Sequence, residues 1–246
     1  MAYAANGEAL YASGFKRLDS KTVTPMAGLF KIELNPVRVK DIPGSDAFYL
    51  SSPFAVSRRE DVILFAGVRT DGAKKSCGVF KLNIADGKIL PVLESTECRA
   101  GSPWRVLDFA PSGLEALISA NRQVSLLDLE NSKVTPLGSG LWRGSYSPDG
   151  KWIAALALGG PAIPSKTILI DRTDLSRRRD LGGLNDDEVV WSPDSRLLLH
   201  AVPCASQNIS LETLDIETGK RMTLKNTICN SGSSRDIGWV SGKIGM

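Results

Sequence analysis

The sequence predicts an all-β protein of the β-propeller class, and two observations lead to this prediction. A unit of two short apolar strands joined by a tight turn recurs along the 246 residues, and a second hairpin follows most copies. The first turns recur roughly every 37 to 53 residues, and four short antiparallel strands with such a period are typical of propeller blades. No segment between the strands shows helical periodicity, which disfavours a parallel-sheet fold.

The first turn of the unit has a specific chemistry. Its strongest copies are residues 145–154 and 190–199, which share Ser-Pro-Asp between two apolar strands, and a third copy covers 108–117. Proline sets φ for the first central position of a type I turn, serine can bond back to the backbone, and glycine suits the last position. Weaker copies cover residues 3–10, 54–63 and 238–244.

The second hairpin completes four strands in each of five units. Asp86-Gly87 and Thr218-Gly219 lie between alternating strands and are strong hairpin signals. The other second hairpins turn near residues 35–36, 130–133 and 173–176. We therefore predict a single propeller domain over residues 1–246, with blades at about 2–42, 46–95, 104–137, 141–182 and 186–226.

The number of blades is open between five and six. In the five-blade interpretation, which the sequence favours, residues 236–246 add a strand to the blade at 2–42 and so hide two sheet edges. In the alternative, the chain is cut from a longer protein and a sixth blade is missing. An open ring would leave an apolar sheet face exposed, which favours closure.

The repeat resembles that of the TolB-like, WD40-like (PD40-type) β-propellers. The resemblance depends on residues 146–154 and 191–199, in which an aromatic residue precedes Ser-Pro-Asp and an apolar strand, with 109–117 as a weaker copy. It spans nearly the whole chain as a repeat. It implies the propeller fold and leaves the function open.

The four cysteines occupy matching places in two blades. Folding the outer hairpins about Asp86-Gly87 and Thr218-Gly219 brings the cysteines together in pairs, so we predict two disulfides, Cys77–Cys98 and Cys204–Cys229. Each would close a loop of about 20 to 25 residues and contribute about 3 kcal/mol. The alternative is four buried free thiols. Neither pair has the C-x₂-C spacing of a zinc site, and we predict no metal.

Composition constrains the compartment and the partners. Disulfides imply a periplasmic or extracellular protein whose export signal is not present in this chain, whereas free thiols would favour the cytoplasm. No apolar stretch is long enough for a membrane span. The net charge of +3 is interspersed and only residues 177–179 form a basic run, so we predict no nucleic-acid partner. We expect a monomer.

Few residues are candidates for catalysis. The single histidine, His200, ends an apolar strand and is expected to pack, and no Gly-x-Ser-x-Gly elbow accompanies it. Asp149 and Asp194 recur with the turn, whose chemistry explains them. The acidic run at 186–188 could supply the carboxylate pair of a glycosidase, but such runs are usually solvated. The sequence thus favours a protein that is not an enzyme and needs no cofactor.

Aromatic and basic residues near the first strands of two blades are candidates for binding. Trp104 and Trp142 precede those strands, on the face where propellers bind partners. The predicted site comprises Trp104, Arg105, Trp142, Arg143, Asp187 and Arg235. The favoured function is a non-catalytic, exported scaffold that binds a protein or peptide. The alternatives are a carbohydrate-active hydrolytic propeller and an accessory or sensor domain of a larger protein.

Overall fold

The chain forms five four-stranded antiparallel sheets, each with its strands in sequence order. The computed structural model describes residues 2–3, 8–16, 26–69, 75–98, 103–159, 165–183, 189–203 and 209–227. The predicted β-propeller class is confirmed, with five blades in these ranges. The only helical segment among them is a 3-10 turn at Ser45–Ala47, and no helix there could cross a membrane.

The blades contain strands of two to nine residues. Blade 1 consists of β1 (Ala2–Tyr3), β2 (Ala9–Lys16), β3 (Met26–Leu34) and β4 (Val37–Asp41). Blade 2 consists of β5 (Phe48–Val56), β6 (Val62–Arg69), β7 (Ser76–Asn83) and β8 (Ile89–Ser95). Blade 3 consists of β9 (Trp104–Phe109), β10 (Glu115–Ala120), β11 (Gln123–Asp128) and β12 (Val134–Ser139).

The remaining two blades have the same organisation. Blade 4 consists of β13 (Leu141–Tyr146), β14 (Trp152–Ala157), β15 (Lys166–Asp171) and β16 (Arg178–Gly183). Blade 5 consists of β17 (Val189–Trp191), β18 (Leu197–Pro203), β19 (Ile209–Asp215) and β20 (Arg221–Thr227). Residues 236–246 lie outside the described ranges, so the predicted closure of the first blade and the single domain stay predictions.

The chain divides into two compact units. The first comprises residues 1–121 and 125–136, and it contains blades 1 and 2 and most of blade 3. The second comprises residues 122–124 and 137–246, and it contains blades 4 and 5. Each unit has its own apolar core between neighbouring blades.

Large apolar side chains join the blades of the first unit. Phe48, Phe65 and Phe80 of blade 2 lie with ring centroids 4.7 to 5.7 Å apart, and Tyr11 and Leu29 of blade 1 pack in the same cluster. The opposite face of blade 2 packs on blade 3 through a second cluster. Middle strands are therefore buried on both faces, which explains their nearly continuous apolar sequences.

The second unit has a smaller core of the same kind. Trp191 and Leu198 of blade 5 pack against Ala154 and Leu169 of blade 4, and all four side chains are buried. The Trp191 indole N–H donates to the Ser145 carbonyl at 3.3 Å, so the buried ring also satisfies its polar group. This core places the first turns of blades 4 and 5 close together.

The first turn has the predicted geometry in blade 4. The Gly150 N–H donates to the Ser147 carbonyl at 2.9 Å, and Gly150 has a φ of 74°. The Ser147 hydroxyl donates to Asp149 at 2.6 Å and accepts the Trp152 N–H at 2.9 Å. Blade 5 repeats these bonds at Ser192, Asp194, Ser195 and Leu197. Both aspartates therefore have the predicted turn role.

Two first turns carry a side chain where the repeat has glycine. Gly113 and Gly150 occupy this position in blades 3 and 4, whereas blade 2 has Glu60 with φ 55° and blade 5 has Ser195 with φ 63°. Positive φ is unfavourable for residues with a Cβ. Both side chains contact the preceding blade. The Ser195 hydroxyl accepts the Asp149 N–H of blade 4 at 2.9 Å.

Candidate functional site

The predicted binding residues Trp142 and Arg143 lie in β13, rather than before it. Leu141 pairs with Ala157 and Arg143 pairs with Leu156, so Trp142 is the extra residue of a β-bulge. The Arg143 guanidinium carbon lies 4.7 Å from the centroid of the Trp142 ring, within the range of a cation–π contact. A bulge redirects the side chains of its strand, which accounts for a stacked pair of adjacent residues.

Trp142 presents a hydrogen-bond donor that the fold does not use. Its indole N–H is buried and has no hydrogen-bond partner in the part of the chain that the structure describes. A buried donor without a partner costs about 1–3 kcal/mol. Both Trp142 and Arg143 keep part of their surface exposed. An acceptor on a bound molecule would recover this free energy only if the Trp142 side chain moved, because the N–H itself has no exposed surface.

Trp104 and Arg105 begin β9 and differ from each other in their surroundings. Trp104 is partly buried and packs on the apolar cluster between blades 2 and 3, while Arg105 is exposed. Asp187 and Arg235 lie outside the described residues. The structure thus brings Trp142 and Arg143 into contact, and the grouping of all six residues in one site stays a prediction.

His200 is packed, as the sequence predicts. It lies in β18 with no exposed surface, and its Nε2 is 3.7 Å from Oε2 of Glu212 on the neighbouring strand. A side chain buried in this way does not reach a substrate in solution. The acidic run at 186–188 lies outside the described residues. Among the described ones, no group of three His, Cys, Asp or Glu side chains is placed to hold a metal.

Hydrogen bonds within the first turns of blades 4 and 5 keep the aspartates of those turns ionised. The hydroxyl of Ser192 donates to Asp194 and the backbone N–H of Arg196 donates at 3.1 Å, and these bonds lower the pKa of Asp194. Hydrogen bonds of this kind stabilise the charged form of a carboxyl group. Asp194 is therefore ionised near neutral pH and has no proton to donate there. Asp149 likewise has a lowered pKa, although burial acts in the opposite direction.

One of the two predicted disulfides is confirmed. Cys77 in β7 is bonded to Cys98, three residues after the end of β8, with their Cα atoms 5.6 Å apart. The bridge therefore fastens the end of the outer strand of blade 2 to the strand beside it. Cys204 and Cys229 lie outside the described residues, and their pairing stays a prediction.

A polar cleft that the sequence does not indicate lies between blades 1 and 2. It has a volume of about 420 Å³, and its lining includes Glu8, Lys31, Glu33 and Glu60. The Tyr11 hydroxyl donates to Glu60 Oε2 at 3.2 Å, and Lys31 Nζ lies 3.6 Å from the same oxygen. Burial and the nearby Glu60 charge raise the pKa of Tyr11. Glu60 reaches this cleft because it replaces the usual glycine.

Acid stability should depend measurably on Asp215, the last residue of β19 before the turn to β20. The backbone N–H of Thr218 donates to it at 2.9 Å, and Arg196 Nε also donates at 2.9 Å. These bonds lower the pKa of Asp215 to about 2. Because this folded pKa is below the unfolded value, the stabilisation is present above about pH 4 and is lost as pH falls towards 2.

We therefore expect Asp215→Asn to flatten the loss of stability between about pH 4 and pH 2, as measured by urea denaturation at a series of pH values. The matched control is Glu217→Gln, which changes the same charge in the same turn. If both variants reproduce the wild-type slope, Asp215 is not a source of acid lability.

Comparison with known proteins is informative at the level of the fold. No protein-family model matches the sequence, and no curated protein matches it. Solved structures do match, and they include TolB proteins. The chain is similar to TolB from Acinetobacter baumannii, with 17% identity and a TM-score of 0.68, over 92% of this chain and 53% of that one.

Two further structures extend the comparison. A putative TolB from Agrobacterium tumefaciens has 14% identity and a TM-score of 0.68, over 92% of this chain and 79% of that one. An oligogalacturonate lyase from Vibrio parahaemolyticus has 11% identity and a TM-score of 0.67, over 96% of this chain and 66% of that one. The chain thus spans about half the length of the A. baumannii TolB. The resemblance predicted from the repeat is confirmed for the fold, which proteins of different activities share.

Proposed function

We propose that this chain is a non-catalytic propeller scaffold that binds a segment of a protein or peptide beside Trp142 and Arg143. The observation that supports the proposal is the unused indole N–H of Trp142 next to a stacked guanidinium. Tryptophan and arginine are the residue types that most often dominate protein interfaces. Both residues lie in the paired strand β13 and already contact each other, so the stacked pair exists before a partner arrives.

The side chains of Trp142 and Arg143 indicate which chemical groups the bound segment would carry. The indole N–H calls for an acceptor, such as a backbone carbonyl or a carboxylate, and the guanidinium favours an anionic group. The partly exposed faces of the two side chains offer apolar contact. The segment we propose therefore combines an apolar side chain with a nearby carboxylate.

The proposed compartment is periplasmic or extracellular. The Cys77–Cys98 disulfide supports it, because structural disulfides persist in oxidising compartments. A cytoplasmic location is the alternative. Alkylation of the protein in intact cells, followed by mass measurement, separates the two, since only a reduced pair would take up the reagent.

Peptides selected from a phage-displayed library on the immobilised chain test the binding site. We expect Trp142→Phe to weaken the selected peptides about five- to tenfold in calorimetry, because phenylalanine keeps an aromatic face for Arg143 but removes the N–H donor and part of the ring surface. Trp152→Phe, in the neighbouring strand β14, is the matched control and should leave the affinity unchanged.

Two results would contradict the proposal. The first is equal affinity of the selected peptides for the wild type and both variants. The second is release of an unsaturated product from oligogalacturonate by the purified chain, measured by ultraviolet absorbance. Such turnover would make the chain an enzyme on a propeller fold rather than a scaffold.

A further inference from the structure

The outer strand of blade 1 lacks the prolines and bulges that interrupt the outer strands of the other blades. Proline interrupts β8 at Pro91 and β12 at Pro136. The pairing of β8, β16 and β20 with their inner neighbours also shifts register at a bulge. Prolines, bulges and charged side chains are all means of preventing a sheet edge from pairing further, and β4 has only the charged side chains. In contrast, β4 contains no proline, and its pairing with β3 has no register shift.

The outward backbone groups of Val37 and Val39 in β4 pair with no strand in the part of the chain that the structure describes. The Ile42 N–H donates to the Leu29 carbonyl at 2.9 Å, which sets the phase of the ladder between β3 and β4. Since bonded and non-bonded pairs alternate in an antiparallel ladder, the backbone groups of Arg38 and Lys40 face β3, and those of Val37 and Val39 face outward. No strand among the described residues pairs with that side, and a further strand can pair there only if residues 236–246, which the sequence predicts to join this blade, leave the edge of β4 open.

The side chains of β4 separate into a face with two valines and a basic face. Val37 and Val39 are 72% and 64% exposed, the two highest values among the large apolar side chains that the structure describes. Arg38 and Lys40 point to the opposite face and are also exposed. Lys40 donates a hydrogen bond to the carboxylate of Glu33 on β3, so the two positive charges of Arg38 and Lys40 face one negative charge across the ladder. The edge therefore has two valines followed by Asp41 on one face and two basic side chains on the other.

We propose that β4 accepts an extended segment of a partner protein as a fifth strand of blade 1, and that this segment alternates β-branched apolar residues with acidic ones. The outward backbone groups of Val37 and Val39 would supply the main-chain bonds of such strand addition. Acidic side chains would lie opposite Arg38 and Lys40, and apolar ones opposite the valines. The proposed site does not include Trp142 and does not depend on the proposed function.

A second copy of this chain fits the same edge poorly. Antiparallel pairing centred on Val39 places Arg38 opposite Lys40, and pairing centred on Arg38 places two arginines opposite each other. Like charges directly opposite destabilise a pair of strands. The charge pattern thus disfavours self-association and favours an acidic partner.

Fluorescence anisotropy with two labelled peptides tests the proposal on the full chain. In one peptide valine alternates with glutamate, and in the other valine alternates with lysine. We expect only the glutamate peptide to bind the chain with wild-type β4, and we expect the double variant Arg38→Glu/Lys40→Glu to weaken it about tenfold and to bind the lysine peptide instead. Because the glutamate peptide also contains the apolar and carboxylate groups proposed for the Trp142 site, all these affinities are measured in the Trp142→Phe background, which leaves β4 unchanged.

Proline substitutions test the strand geometry independently of charge. Val39→Pro removes an outward N–H and should abolish binding of the glutamate peptide, while Thr223→Pro, at the outward-facing position of β20, should not. Circular dichroism confirms that both variants are folded. Equal binding of the two peptides, retention of the glutamate peptide by Val39→Pro, or dimerisation through β4 seen by light scattering would overturn the proposal.

Discussion

Gly78→Ala is expected to lower the free energy of unfolding by about 3 kcal/mol or more, a large fraction of the stability of a typical domain. A Cβ at this position of β7 would lie 1.9 Å from the carbonyl oxygen of Leu93 and 3.0 Å from its carbonyl carbon. Both obstructing atoms belong to the backbone of β8. Relief therefore requires the outer strand to move rather than a side chain to rotate.

The position opposite Gly78 makes that movement more difficult. Gly67 of β6 pairs with Gly78, and a Cβ at Gly67 would itself meet the Tyr49 carbonyl oxygen at 2.9 Å. The sheet is therefore tightly packed around this pair. Gly14→Ala is the matched control, because its nearest neighbours are side-chain atoms of Phe30 at 3.4 and 3.8 Å. Urea denaturation of both variants should separate them clearly, and equal stabilities would refute the steric explanation.

Loss of the Cys77–Cys98 bridge is expected to lower the free energy of unfolding by about 3 kcal/mol. The two cysteines are 21 residues apart in sequence, so the bridge closes the whole outer hairpin of blade 2. In the unfolded chain this closure removes conformations, and in the folded chain it fastens the end of β8 to β7. The double variant Cys77→Ser/Cys98→Ser measures the contribution of this bridge alone, by denaturation without reductant.

The state of the thiols provides the control for that measurement. The untreated protein should resist alkylation at Cys77 and Cys98, and reduction should make both reactive. Reductant should lower the free energy of unfolding of the wild type to about the value of the double variant. If both thiols are alkylated in the untreated, folded protein, the bridge is absent and its contribution to stability is zero.

Local chemistry is the part of the fold that the sequence predicts well. The Ser-Pro-Asp-Gly turn around Ser147 combines a fixed φ, a hydroxyl that bonds the backbone and a glycine at positive φ within four residues. Such a motif determines its own conformation. The hairpin at Asp86-Gly87 is similar, because turn and strands are adjacent in sequence. The Cys77–Cys98 pair follows from it, since one hairpin brings both cysteines together.

The site is harder to predict, because its geometry depends on contacts between strands. The bulge that makes Trp142 an extra residue arises from its pairing with β14, and nothing in its neighbours along the chain signals it. The cleft at Glu60 depends on Tyr11 and Lys31, which are far away in sequence. The weak first-turn copy of blade 2 lacks the usual glycine, and that departure was the one local sign of this contact.

Glu60 and Ser195 also bear on whether the blades are interchangeable. Engineers often stabilise repeat proteins by restoring the consensus residue at each position, and glycine at 60 or 195 would relax an unfavourable backbone conformation. The same change would remove the oxygen that holds Tyr11 and Lys31, or the one that holds Asp149. Each departure from the repeat thus makes a contact with one particular preceding blade. A blade that is moved to another position in the chain, or given the consensus residue, would lose that contact.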